Sequence, residues 1–81
     1  MGKIITKEVS FLAINLKMLR KINSLTQWDL SVALEIKRSS IGAYEEDRAE
    51  PKLGILIRMS DYFGVSLDQL VRVEITNVPP K

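Results

Sequence analysis

The apolar positions of this chain fall into short helical runs separated by polar breaks. Val9, Leu12, Leu16 and Leu19 recur at i, i+3, i+7 and i+10, one face of an α-helix, while Lys17, Arg20 and Lys21 fall off that face. Thr6 can cap this first helix, with Glu8 in the turn where the helix dipole favours an anion. The β-branched stretch from Lys3 to Thr6 predicts extended chain ahead of it. Asn23-Ser24 supplies the break. Thr26 then opens a second helix, and Asp29 three residues later gives a near capping box. Leu30, Ala33 and Leu34 form its inner face, Glu35-Ile36 is a turn, and a third helix runs from about Lys37 to Glu45 or Glu46.

Beyond an irregular loop at residues 47–50, Pro51 suits the start of a fourth helix. Leu53, Leu56, Ser60 and Phe63 repeat the helical spacing, and Gly64 marks its stop. Ser66-Leu67-Asp68-Gln69 is a capping box for a short fifth helix reaching Val71. Residues 72–76 alternate polar and apolar, the pattern of a strand, and 77–81 read as a tail or the start of a linker. The expected architecture is therefore all-α: five helices in one domain over residues 1–76, with room for short strands at the termini.

The second and third helices, about one turn apart, have the layout of a helix-turn-helix, in which one helix braces the other against a nucleic-acid groove. On a wheel of the third helix, Ile41 and Tyr44, with Ser40 beside them, fall on the packing side. Arg38, Ser39, Gly42, Ala43 and Glu46 fall on the other, a thin face that can lie close to a surface. The planar fork of Arg38 can bond guanine O6 and N7 together, Ser39 can donate or accept, and Ala43 can touch a thymine methyl. Gly42 costs about 1 kcal/mol of helix propensity relative to alanine. Either it keeps the helix close to the groove or it is a tolerated surface glycine.

Composition narrows the chemistry. With 81 residues the chain is near the lower size limit for a single unstapled core. It has no cysteine and no histidine, which removes disulfides, thiolate sites and the commonest general base and metal ligand. No residues are arranged as a catalytic group, and neither a metal nor a cofactor is expected. The charge balance, 12 Lys plus Arg against 10 Asp plus Glu, is only weakly basic, so any nucleic-acid argument rests on where the charges lie. No apolar run is long enough to span a membrane and no signal peptide is visible at the start, which predicts a cytoplasmic protein with no membrane partner.

From Asn15 to Val71 the chain resembles the phage repressor and Cro family, a lambda-repressor-like fold. The resemblance is carried by Leu16-x-x-Leu19-Arg20, Leu25-Thr26-Gln27, Leu30-x-x-Ala33-Leu34, Ile41-x-x-Tyr44-Glu45, Pro51 and the run from Phe63 to Leu70. It implies a transcriptional regulator binding double-stranded DNA as a homodimer on an inverted repeat, with residues 37–46 in the major groove. Arg38, Ser39, Gly42 and Ala43 would contact bases. Thr26, Gln27, Lys37, Ser40, Arg48 and Lys52 would contact the backbone. Arg20 and Glu45 match a pair that ties the first helix to the third. By the same resemblance the dimer surface would lie near Leu67, Leu70 and Val73. An antitoxin or protein-interaction module built on this fold is the alternative, with a further protein partner or a C-terminal domain completing a longer regulator.

Several residues depart from the family pattern. Glu35 stands where glycine is usual in the turn, so it or its neighbour must take a left-handed backbone, at about 1–2 kcal/mol for a residue with a Cβ. Asp47 replaces another frequent glycine, and Lys37 replaces the capping Ser or Thr. Glu45, Glu46, Asp47 and Glu50 make the following loop acidic, with Arg48 its only cation, although a carboxylate at Glu46 can also accept from cytosine N4. Trp28 lies outside the apolar stripe of the second helix. It is expected to cover the end of the first helix, the other reading being a ring pressed on the sugar-phosphate backbone or on a partner.

Overall fold

The computed structural model describes residues 10–75, which form α1 (Leu12–Ile22), α2 (Gln27–Leu34), α3 (Arg38–Glu45), α4 (Leu53–Phe63) and α5 (Leu67–Arg72). No strand occurs among the described residues. α2 packs on α3 and α4, α1 on α3 and α5, and α4 closes against α5. Leu16 and Leu19 of α1, Leu30 and Leu34 of α2, Ile41, Met59 and Leu70 share one core, with Leu12, Phe63 and Ile75 at its edges. Each such aliphatic side chain contributes about 1.5–3 kcal/mol on burial.

α1 begins at Leu12, later than the periodicity starting at Val9 predicts. Phe11 occupies the cap position, and Ser10 Oγ accepts from the Leu12 N–H at 3.1 Å, satisfying a donor that the expected longer helix would have bonded internally. Thr6, Glu8, Val9 and the extended stretch at 3–6 lie outside the described residues, as do Thr76 and the tail at 77–81.

α2 opens on a complete capping box: Thr26 Oγ1 accepts from the Asp29 N–H at 3.0 Å, and Asp29 Oδ2 accepts from the Thr26 N–H at 2.9 Å. The Thr26 backbone N–H holds the Asp29 carboxyl below its ordinary pKa, and the nearby threonine hydroxyl adds to this. Ala33, expected on the inner face, is exposed, and Ser31 is buried in its place. The buried stripe of α2 is rotated toward Gln27 and Ser31 because the helix must cover α3 as well as α4. Burial of Ser31 is tolerated because its hydroxyl donates to the Trp28 carbonyl at 2.7 Å.

Glu35 ends α2 in the left-handed region at φ 59° and ψ 44°, so the turn keeps its backbone shape without glycine. Asp47 does the same after α3, at φ 59°. In α4 the inner face is Met59 and Phe63, with Ile55 and Leu56 partly buried, whereas Leu53 sits in the first turn and is largely exposed. Ser66 and Gln69 cap α5 reciprocally.

The described part of the alternating segment, residues 72–75, is not a strand. Arg72 closes the helix and residues 73–75 run as irregular chain held by Asn15. Asn15 is fully buried on α1; its Nδ2 donates to the carbonyls of Leu70 at 2.8 Å and Val73 at 2.7 Å, and its Oδ1 accepts from the Ile75 N–H at 2.8 Å. A side chain thus satisfies the backbone groups that a neighbouring strand would have bonded. The Phe11 N–H to Val71 carbonyl bond, at 2.9 Å, adds a second tie between the two ends.

Candidate nucleic-acid interface

The two-helix unit of α2 and α3 is braced from behind by α1. Arg20 Nε donates to Glu45 Oε2 at 2.6 Å and Nη2 donates to Glu45 Oε1 at 3.1 Å, a two-point fork. The remaining arm, Nη1, donates to the Leu25 carbonyl at 2.8 Å. The Glu45 side chain is 2 % exposed and that of Arg20 11 %, so this is a nearly dry contact. The hydrogen bond to Glu45 raises the Arg20 pKa against the opposing effect of desolvation, with direct charge attraction adding to the rise.

From Glu45 the hydrogen bonds continue outward. Gln27 Nε2 donates to Glu45 Oε1 at 3.1 Å, and Arg38 Nη1 donates to Gln27 Oε1 at 2.7 Å. The first residue of α2 and the first residue of α3 are therefore joined, and both amino ends are set side by side. Unpaired backbone N–H groups at such ends favour anions. Arg38 is exposed and keeps further donors beyond the one that Gln27 engages.

The other residues singled out in the sequence divide by exposure. Lys37 caps α3 without a side-chain bond and is exposed, as are Ser39 and Lys52. Ser40 and Ala43 are half-buried. The Thr26 hydroxyl is engaged in its capping box, though the residue is exposed. Arg48 is exposed and paired with Glu46 at 2.8 Å, so an anion would compete with that carboxylate for it.

Two placements correct the sequence-based picture. Gly42 does not face outward: it is buried, and a Cβ there would point into the Gln27 amide, 3.7 Å from Oε1. The wheel could not foresee this, because the covering group comes from another helix. Trp28 does not cover the end of α1; it is 64 % exposed. The linking role of Gln27 and the clamping role of Asn15 were missed. Gln27 offered no signal, since its partners lie 11 and 18 residues away in sequence. Asn15 did offer one: it is a polar residue inside the apolar stripe between Leu12 and Leu16.

Among the described residues no group of acidic side chains is placed to hold a metal ion, and no helix is long and apolar enough to cross a membrane. What the surface offers is two adjoining helix amino ends and a forked cation, on a five-helix frame that defines the helix-turn-helix class.

Comparison with known proteins agrees with that class. The helix-turn-helix family profile matches residues 16–70. The chain belongs to the repressor/Cro-type helix-turn-helix family. It is 42 % identical over 60 residues to the uncharacterized HTH-type transcriptional regulator YqaE of Bacillus subtilis, a match covering 74 % of this chain and 52 % of YqaE. The chain thus spans about half the length of that relative. It is 33 % identical over 55 residues to the uncharacterized HTH-type transcriptional regulator MJ0272 of Methanocaldococcus jannaschii, covering 68 % of this chain and 83 % of that one. Among solved structures, a transcriptional regulator from Listeria innocua superposes with a TM-score of 0.76 at 27 % identity, covering 88 % of this chain and 65 % of the other. The LexA repressor of Eubacterium rectale shares the fold, with a TM-score of 0.72 at 19 % identity over 85 % of this chain and 77 % of its own.

Proposed function

We propose that this chain is a transcriptional regulator that binds double-stranded DNA sequence-specifically, with α3 in the major groove. The observation that carries this reading is the Arg38–Gln27 hydrogen bond, which holds the leading residues of α2 and α3 together at 2.7 Å. A side chain fixed in this way reaches a base edge with less entropy to lose than a free arginine. Arg38, Ser39 and Ala43 read bases. Gln27, Thr26, Lys37, Ser40 and Lys52 hold the backbone, joined by Arg48 when it leaves Glu46. Gly42 falls out of the base-reading set, since its open side is filled by Gln27.

In the same reading residues 1–76 form the DNA-binding unit, acting in the cytoplasm. Two copies bind an inverted repeat with their α3 helices roughly 34–36 Å apart, one DNA turn. Leu67 on α5 and Val73 just after it remain available on the outside, as do Leu53 and Ile57 on α4. Leu70 is wholly in the core and cannot contribute to such a surface. The test is selection of genomic DNA fragments by the purified protein. Recovery of a palindrome supports the proposal, and absence of any enrichment at low salt refutes it.

A further inference from the structure

Trp28 is the sole tryptophan of the chain and the most conspicuous side chain left unused by the interface described above. It is the second residue of α2, 64 % exposed, and its carbonyl accepts from Ser31 Oγ while its indole N–H meets no partner among the described residues. Cα–Cβ bonds on a helix tilt toward its amino end. The Trp28 side chain is therefore tilted toward the amino end of α2, which its chain neighbour Gln27 opens. Val32, one turn further on and 60 % exposed, prolongs the same face.

We propose that Trp28 is a DNA-backbone contact: its ring lies on a deoxyribose of the strand beside α3, and its indole N–H donates to a phosphate oxygen. The inference rests on the proposed DNA binding. An indole joins an apolar body to a single donor, which matches a surface that alternates sugar carbons with phosphate oxygens. The occupant follows from size and continuity. A tryptophan buries about 150–250 Å², and adding Val32 leaves the strip far short of the roughly 800 Å² per partner that a stable protein interface needs. The exposed Asp29 beside it makes the strip no larger in apolar area. As the margin of an interface already built from Gln27 and Arg38, the same strip has no minimum size to meet.

Because Trp28 is the only tryptophan, its fluorescence reports on this contact alone. The whole chain is titrated with a fluorescein-labelled mixed-sequence duplex of about 30 base pairs at low salt, long enough for two half-sites one turn apart. Binding is followed by anisotropy of the label, and Trp28 exposure by emission wavelength and acrylamide quenching. The expected result is a blue shift and a marked loss of acrylamide access at saturation. Trp28→Ala should weaken binding about ten-fold on every sequence alike, the size of one hydrogen bond to a charged group. It should leave the salt slope unchanged, because the indole displaces no counterion. Trp28→Phe should lose part of that affinity, through the missing N–H. Duplex binding with unchanged quenching and unchanged Trp28→Ala affinity would overturn the inference and leave DNA binding intact. Protection of Trp28 that grows with protein concentration in the absence of duplex would overturn it in favour of a protein partner. Absence of any anisotropy change would remove the DNA-binding reading and this inference together.

Discussion

Replacing Arg20 by alanine removes three donors at once, two to Glu45 and one to the Leu25 carbonyl. Glu45, with its side chain 2 % exposed, is left with a single donor from Gln27. Breaking a buried ion pair from one side costs about 3–5 kcal/mol, and the partial exposure of Arg20 argues for about 3. Glu45→Ala should cost less, about 2 kcal/mol, because Arg20 keeps the Leu25 carbonyl and can turn toward water. The double variant carries no stranded charge, so its loss should fall short of the sum by about 1–3 kcal/mol. Urea unfolding followed by far-UV circular dichroism measures this cycle. Tryptophan emission is the poorer reporter, since Trp28 is already exposed in the folded state. A domain of this size has little stability to spare, so the four proteins are compared in a constant concentration of stabilising osmolyte. Losses that add to within about 0.5 kcal/mol would refute the coupling.

Four further expectations are simpler. Gly42→Ala should stabilise the protein by up to about 1 kcal/mol, because the new methyl meets Gln27 at an ordinary 3.7 Å and alanine is the better helix former; a lower midpoint in urea would contradict this. Arg38→Ala should cost about 1–3 kcal/mol on the preferred DNA site and relax selection at a guanine, whereas Lys37→Ala should weaken all sequences alike and lower the salt slope by about one. Equal losses for Arg38→Ala on preferred and altered sites would make it a backbone contact. The lowered pKa of Asp29 means that its capping contribution is present above the ordinary aspartate range and is lost as pH falls through the lowered value. Asp29→Asn should therefore be less stable near neutrality, with the gap in melting temperature closing in acid; a gap constant down to the lowest pH would reject the linkage.

How much of this was legible in the chain depended on the range of the interactions. Both capping boxes could be read because the partners are three residues apart. The family's usual glycine pointed to a left-handed residue at Glu35 or its neighbour, and it is Glu35 that adopts it. Leu16, Leu19, Leu30, Leu34 and Ile41 followed from periodicity and are buried. The errors arose where a distant element decided the outcome. Ala33 and Ser31 exchanged roles because α2 is covered from two sides, Leu53 fits the spacing yet opens α4 and is largely exposed, and Gly42 is covered by a residue of another helix. Of the segment with the strand pattern, the described residues 72–75 are not a strand: Arg72 belongs to α5, and Asn15 supplies the hydrogen bonds to Val73 and Ile75. For the interface, the exposure of Arg38 and Ser39 was readable, but the burial of Gly42 and the hydrogen-bonded chain from Arg20 through Glu45 and Gln27 to Arg38 were not.

The Asn15 clamp also bears on how the molecule comes together and apart. Its bonds to Leu70, Val73 and Ile75 span 55 to 60 residues, close to the widest separation in the described chain. The beginning of the fold cannot be completed until its end has arrived, so closure of this contact is a late, loop-limited step in an otherwise local helical fold. The same dependence runs in reverse. Fraying of residues 73–75 would strand a buried amide on α1, so the end of the chain cannot open cheaply by itself. Its amide protons should then exchange with solvent on the timescale of the core rather than of a loose terminus.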